Sequence, residues 1–95
     1  MKILRIGDFG IKEAYIDFLV FLPARVDFHL IAAEEAGKRL ETELKELEKE
    51  HAVEFEADDG LERATGLCDV TDLTITKDES KMPLLYRISG SLTKI

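Results

Sequence analysis

Polar and apolar residues alternate in two runs of this chain, and a longer period separates them. Over residues 25–31, Val26, Phe28 and Leu30 alternate with Arg25, Asp27 and His29; over 52–57, Val53, Phe55 and Ala57 alternate with Glu54 and Glu56. A period of two puts each apolar set on one face of a half-buried β-strand. In between, Ala36, Leu40, Leu44 and Leu47 recur at steps of four, four and three, the stripe of an amphipathic α-helix over 34–51. Burying each leucine of the stripe contributes roughly 1.5 to 3 kcal/mol. The acid-before-base pairs Glu34 with Lys38, Glu35 with Arg39 and Glu41 with Lys45 add only ~0.2 to 0.5 kcal/mol apiece. The stripe therefore decides where the helix sits, and the charges form its solvated back.

A second register competes. Val26, Leu30, Ala33, Gly37, Leu40, Leu44 and Leu47 also follow alternating steps of four and three, which would make one long helix from Pro23. That helix leaves Phe28 and Ile31 off its seam and places Gly37 in its interior at a cost of about 1 kcal/mol. The strand is the preferred reading for 25–31.

Elsewhere the pattern predicts mostly strands. Residues 2–6 read as a short strand and Gly7-Asp8-Phe9-Gly10 as a turn. In 11–22, Ile11, Ala14, Tyr15, Phe18 and Leu22 fit a helical face, whereas Ile16-Asp17-Phe18-Leu19-Val20-Phe21 is rich in β-formers. A strand over 15–22 is preferred; being apolar on both sides, it is either central or covered by another subunit. Asp58-Asp59-Gly60 signals a turn, and Gly66 argues against a long regular element after Leu61. Cys68 and Val70 alternate in one phase and Leu73 and Ile75 in the other, which predicts a bulge near Thr71-Asp72. Asp78-Glu79-Ser80-Lys81 reads as a polar loop, and residues 73–92 as a terminal β-hairpin. The expected fold is a single α+β domain over 1–95, a mainly antiparallel β-sheet or sandwich flanked by one α-helix at about 34–51.

Composition narrows the function classes. Of 95 residues, 35% are charged, and the formal charge is -7, which argues against binding a nucleic-acid backbone or an anionic membrane through long-range attraction. Met1-Lys2-Ile3-Leu4-Arg5 lacks the apolar core of a signal peptide, and the longest apolar run, 18–22, is too short to span a bilayer. A protein retained in the cytoplasm is expected.

The reactive residues suggest no site. His29, His51 and Cys68 are the soft ligands, and their spacing is not that of a zinc site. Asp58-Asp59-Gly60 lacks the further ligands of a calcium loop. Cys68 in an alternating strand reads as a small core residue, and His51 sits where a helix C-terminus favours positive charge. No order of Ser, His and Asp singles out a triad. Catalytic residues, cofactor and metal are all expected to be absent.

The succession of strand, lone helix, strand, Asp-Gly turn, strand and hairpin is carried by several stretches. These are Val26-Asp27-Phe28-His29-Leu30, Leu44-Lys45-Glu46-Leu47-Glu48-Lys49-Glu50-His51, Asp58-Asp59-Gly60, Gly66-Leu67-Cys68-Asp69-Val70, Leu73-Thr74-Ile75-Thr76 and Tyr86-Arg87-Ile88-Ser89-Gly90-Ser91-Leu92. It resembles the small tail-tube and baseplate proteins of tailed bacteriophages and related contractile injection machines, over about two-thirds of the chain. The resemblance implies a mainly antiparallel β-sandwich or partly closed barrel flanked by a helix, and a non-enzymatic structural component of the virion, assembled in the host cytoplasm as rings or tubes, whose partners are further copies of the chain and neighbouring assembly proteins. Tyr15, Ile16, Phe18, Leu19, Val20 and Phe21 are then the candidate subunit interface. Two alternatives stand beside it. One is a small Rossmann-like α/β ligand-binding unit, because Lys2-Ile3-Leu4-Arg5-Ile6-Gly7-Asp8 and the stretch 59–70 are similar to part of a carbamoyltransferase domain. The other is an acidic inhibitor or adaptor that binds a basic protein.

Overall fold

In a computed structural model, residues 1–80, 82 and 84–95 are described; Lys81 of the expected polar loop and Pro83 of the expected hairpin span lie outside them. The elements in chain order are β1 (Ile3–Ile6), β2 (Phe9–Ile11), a 3-10 turn (Glu13–Tyr15), β3 (Ile16–Phe21), β4 (Arg25–Ala33), α1 (Glu34–Glu48), β5 (Val53–Asp58), β6 (Arg63–Asp78) and β7 (Leu85–Lys94). Strict alternation becomes strand wherever it was strong. Along β4, Val26, Phe28, Leu30 and Ala32 are buried while their neighbours are half-buried or exposed, and Phe55 and Ala57 do the same on β5.

Among the described residues the seven strands form one sheet in the order β2-β1-β5-β6-β7-β4-β3. Every pairing in it is antiparallel. The parallel crossovers that the Rossmann-like alternative requires are not part of this sheet. The long-helix register is also overturned, since β4 pairs over its whole length with β7, from Arg25 opposite Thr93 to Ala33 opposite Leu85.

The sheet curls. Flat, it would hold its edge strands β2 and β3 about 29 Å apart, at ~4.8 Å per strand. Yet β2 ends at Ile11 and β3 begins at Ile16, and a chain of that length reaches at most about 17 Å. The two edges must approach each other at that end, so the sheet is a partly open trough rather than a closed barrel. Helix α1 lies on its concave side against β4, β6 and β7. Gly37, Leu40, Leu44 and Leu47 form its buried stripe, and Ala36 packs at the margin. They meet a core of Leu4, Ile6, Phe28, Leu30, Phe55, Tyr86, Ile88 and Leu92, all almost fully buried.

The local chemistry sets the boundaries. The chain passes from β4 into α1 without a loop, and Ala33 provides no side-chain cap; Glu34 and Glu35 instead place negative charge on the helix N-terminus, where the dipole favours it. Of the expected ion pairs, Glu34 with Lys38 and Glu41 with Lys45 form at 3.4 and 3.0 Å. The helix ends at Glu48, three residues short of the expected His51, and Ala52 at φ 56 redirects the chain into β5. In the Asp58-Asp59-Gly60 turn, Asp59 accepts from the backbone N–H groups of Leu61 and Glu62 at 2.9 and 2.7 Å. Those donors, Glu62 first, hold its carboxyl below the ordinary 3.8.

Three local expectations are corrected. Phe9 and Gly10 are not turn but the start of β2, opposite Ile6 and Arg5; the reversal is confined to Gly7 and Asp8, with Gly7 at φ 60. Tyr15 belongs to the 3-10 turn rather than the strand. Gly66 does not interrupt β6, the longest strand; it lies opposite Phe55, whose ring covers it. The predicted bulge is present, as a register shift between Thr71 and Thr74 with Asp72 at φ 53. It moves Leu73 and Ile75 into the opposite phase from Cys68 and Val70, so that both ends of β6 face the same core.

Candidate functional site

β3 is an edge strand, and that position gives it unusual surface. Its register with β4 pairs Phe18 with His29, Leu19 with Phe28, Val20 with Asp27 and Phe21 with Val26. Just beyond it, the Leu22 N–H donates to the Arg25 carbonyl at 2.9 Å. Bonded and non-bonded pairs alternate in an antiparallel ladder, so Val20 and Phe18 are bonded to β4. Leu19 and Phe21 therefore turn their N–H and C=O groups away from it. Among the described residues no strand pairs with that outer edge; at its start, Lys2 Nζ donates to the Asp17 carbonyl at 2.8 Å.

The side chains of the candidate interface separate by face. Ile16 and Leu19 are buried in the chain's own core, and Phe21 and Tyr15 pack half-buried against it. Of the six candidate residues, only Phe18 and Val20, 47% and 39% exposed, point from the outer face. Exposed apolar side chains on an unpaired edge are what soluble domains ordinarily avoid.

Around them the outer face is polar and ordered. The Phe18 ring stacks on His29, centroids 4.9 Å apart and nearly parallel, and His29 Nδ1 lies 3.1 Å from Asp17. Asp17 occupies a register shift between Ile16 and Phe18. Next along the sheet, Asp27 accepts from Ser91 Oγ at 2.7 Å and from Arg25 Nε at 2.9 Å, and Thr71 and Thr93 share a 2.7 Å bond. These contacts engage the side chains flanking Phe18 and Val20 and leave both partly exposed.

The other singled-out residues lie apart from this edge. His51 sits past the helix, its Nδ1 2.7 Å from Asp69 Oδ1, and the same oxygen accepts from the Ala52 N–H at 2.9 Å. Asp69 thereby ties the strained exit of α1 to β6. Cys68 is fully buried; its apolar surroundings, with Asp69 adding a smaller effect, push the thiol up to about 11 from 9.0. A hollow of about 440 Å³ opens between the start of α1 and β2, lined by Phe9, Ile11, Tyr15, Ala36 and Leu40 together with Lys12, Glu35 and Arg39. Among the described residues no group of three or more His, Cys, Asp or Glu could hold a metal ion, and no helix is long and apolar enough to cross a membrane.

The run 15–22 stands out in the sequence, whereas the place of His29 beside Phe18 and Asp17 does not. The stacking of Phe18 on His29 depends on the β3–β4 register, and the tight Pro23-Ala24 connection is the one local signal that sets that register. No protein family, curated protein or solved structure matches this chain.

Proposed function

We propose that the chain is a non-enzymatic structural subunit of a larger protein assembly, in the form its sequence resemblance implies: a ring- or tube-building component of a phage tail, baseplate or related injection machine. The observation that carries this reading is the outer edge of β3, where unpaired backbone groups at Leu19 and Phe21 coincide with exposed Phe18 and Val20. Backbone groups on such an edge supply affinity for another strand, and alternate side chains supply specificity. An antiparallel sheet with a lone helix on one face is also compatible with the architecture the resemblance implies. The acidic surface favours solubility of the free subunit.

Electron microscopy of the purified protein, with a parallel mass measurement across a wide concentration range, tests the proposal. Rings or stacked tubes are the expected result. A chain that stays monomeric at high concentration and binds a phosphate compound sinks it.

A further inference from the structure

The free edge of β3 is complementary to itself. We propose that it pairs with β3 of a second copy, antiparallel, about a two-fold axis at Val20. This rests on reading β3 as a subunit contact and names the partner at that contact.

The register follows from which groups are free. Leu19 and Phe21 carry the outward N–H and C=O groups, and a bonded antiparallel pair uses both groups of each residue. Placing Leu19 opposite Phe21 of the second copy, and Phe21 opposite its Leu19, satisfies all of them. Shifting the register to place either residue opposite itself satisfies only half. Val20 then faces its own counterpart in a non-bonded pair, where side chains come closest. On the outer face Phe18 meets Leu22 on both sides of the axis; on the core face, half-buried Phe21 gains the neighbouring Leu19. Every residue of Phe18-Leu19-Val20-Phe21-Leu22 thus meets an apolar partner.

Electrostatics permit the approach of like copies at this edge. The chain is strongly acidic, yet residues 14–24 contain one charged side chain, Asp17, which is engaged by His29. Asp17 at the register shift and Pro23 in the connection also bound the flat segment at both ends. The other edge, β2, is only three residues long and offers a poorer template. A symmetric pair closes on itself, so growth into rings or tubes needs a second surface.

Sedimentation of the full chain, combined with cysteine cross-linking, tests the pairing. Wild type should dimerise with rising concentration, since a five-residue edge lies at the small end of specific interfaces. Val20→Cys should form an intermolecular disulfide under mild oxidation, at least ~10-fold faster than Phe18→Cys, because only residues facing each other reach disulfide geometry. Val20→Lys and Val20→Glu should each be monomeric with native circular dichroism, and mixing them should restore a dimer. Equal cross-linking of the two cysteine variants, or self-association unaffected by Val20→Lys, would overturn the pairing while leaving assembly through another surface intact. A wild-type chain that is monomeric at every concentration and joins no partner overturns both.

Discussion

Three of the largest buried side chains each lie over a glycine. The Phe28 ring covers Gly90 across the β4–β7 pair, so that a Cβ there would stand 2.7 Å from the ring. Phe55 covers Gly66 in the same way, in looser contact at 3.9 Å. The third, Tyr86, packs against Gly37 of α1, where a Cβ would meet the ring at 2.3 Å; Lys77 Nζ lies 5.4 Å from the centroid of that ring. Gly37 lowers helix propensity by about 1 kcal/mol, and the close approach of helix to sheet is what requires it. Gly37→Ala should therefore destabilise the fold by about 2 kcal/mol despite its better propensity. In a denaturant double-mutant cycle, Gly37→Ala combined with Tyr86→Leu should lose less than the sum of the single changes. Cys68 offers a second test. Its thiol is neutral in both states below about 9, and the folded state holds the proton up to about 11. Stability should thus fall as pH rises between these values, because the unfolded chain ionises first. Urea unfolding at stepped pH should show this slope in wild type and a smaller one in Cys68→Ala.

At the scale of the elements, the joints carry the strain. Ala52 at φ 56 turns the chain out of α1, a left-handed conformation that costs a non-glycine residue roughly 1 to 2 kcal/mol. It is held there by Asp69, which accepts its N–H. Ala52→Gly should raise the thermal midpoint, by about 0.5 to 1 kcal/mol of added stability, because relief of strain exceeds the extra entropy of the unfolded glycine. Asp72 at φ 53 plays a comparable part in the β6 bulge, and aspartate tolerates that region better than most residues. These joints explain which element boundaries were legible in advance. The phase slip between Val70 and Leu73 announced the bulge, since a strand cannot keep one buried face across it otherwise. The end of α1 falls short of His51 because the polar residues 49–51 continue a helical composition while the chain is already turning toward the left-handed Ala52.

For the whole molecule, one core joins every element. Leu4 on β1, Leu19 on β3, Leu44 on α1 and Leu92 on β7 belong to the same buried cluster. The domain should therefore unfold as a unit. Far-ultraviolet circular dichroism and the exposure of the Cys68 thiol should report coincident urea transitions, and separated transitions would show that the trough contains independent parts. The order of residues alone set the alternating strands β4 and β5, the leucine stripe of α1, the Asp-Gly turn and the phase change in β6. Each of these is a local periodicity or backbone preference, readable from neighbouring residues. It also marked residues 15–22 as apolar on both sides. Long-range strand pairing made β3 an edge, turned Ile16 and Leu19 inward, and left Phe18 and Val20 outside. Strand order and register depend on pairings between residues far apart in the chain, and no local period encodes which strand is left without a neighbour.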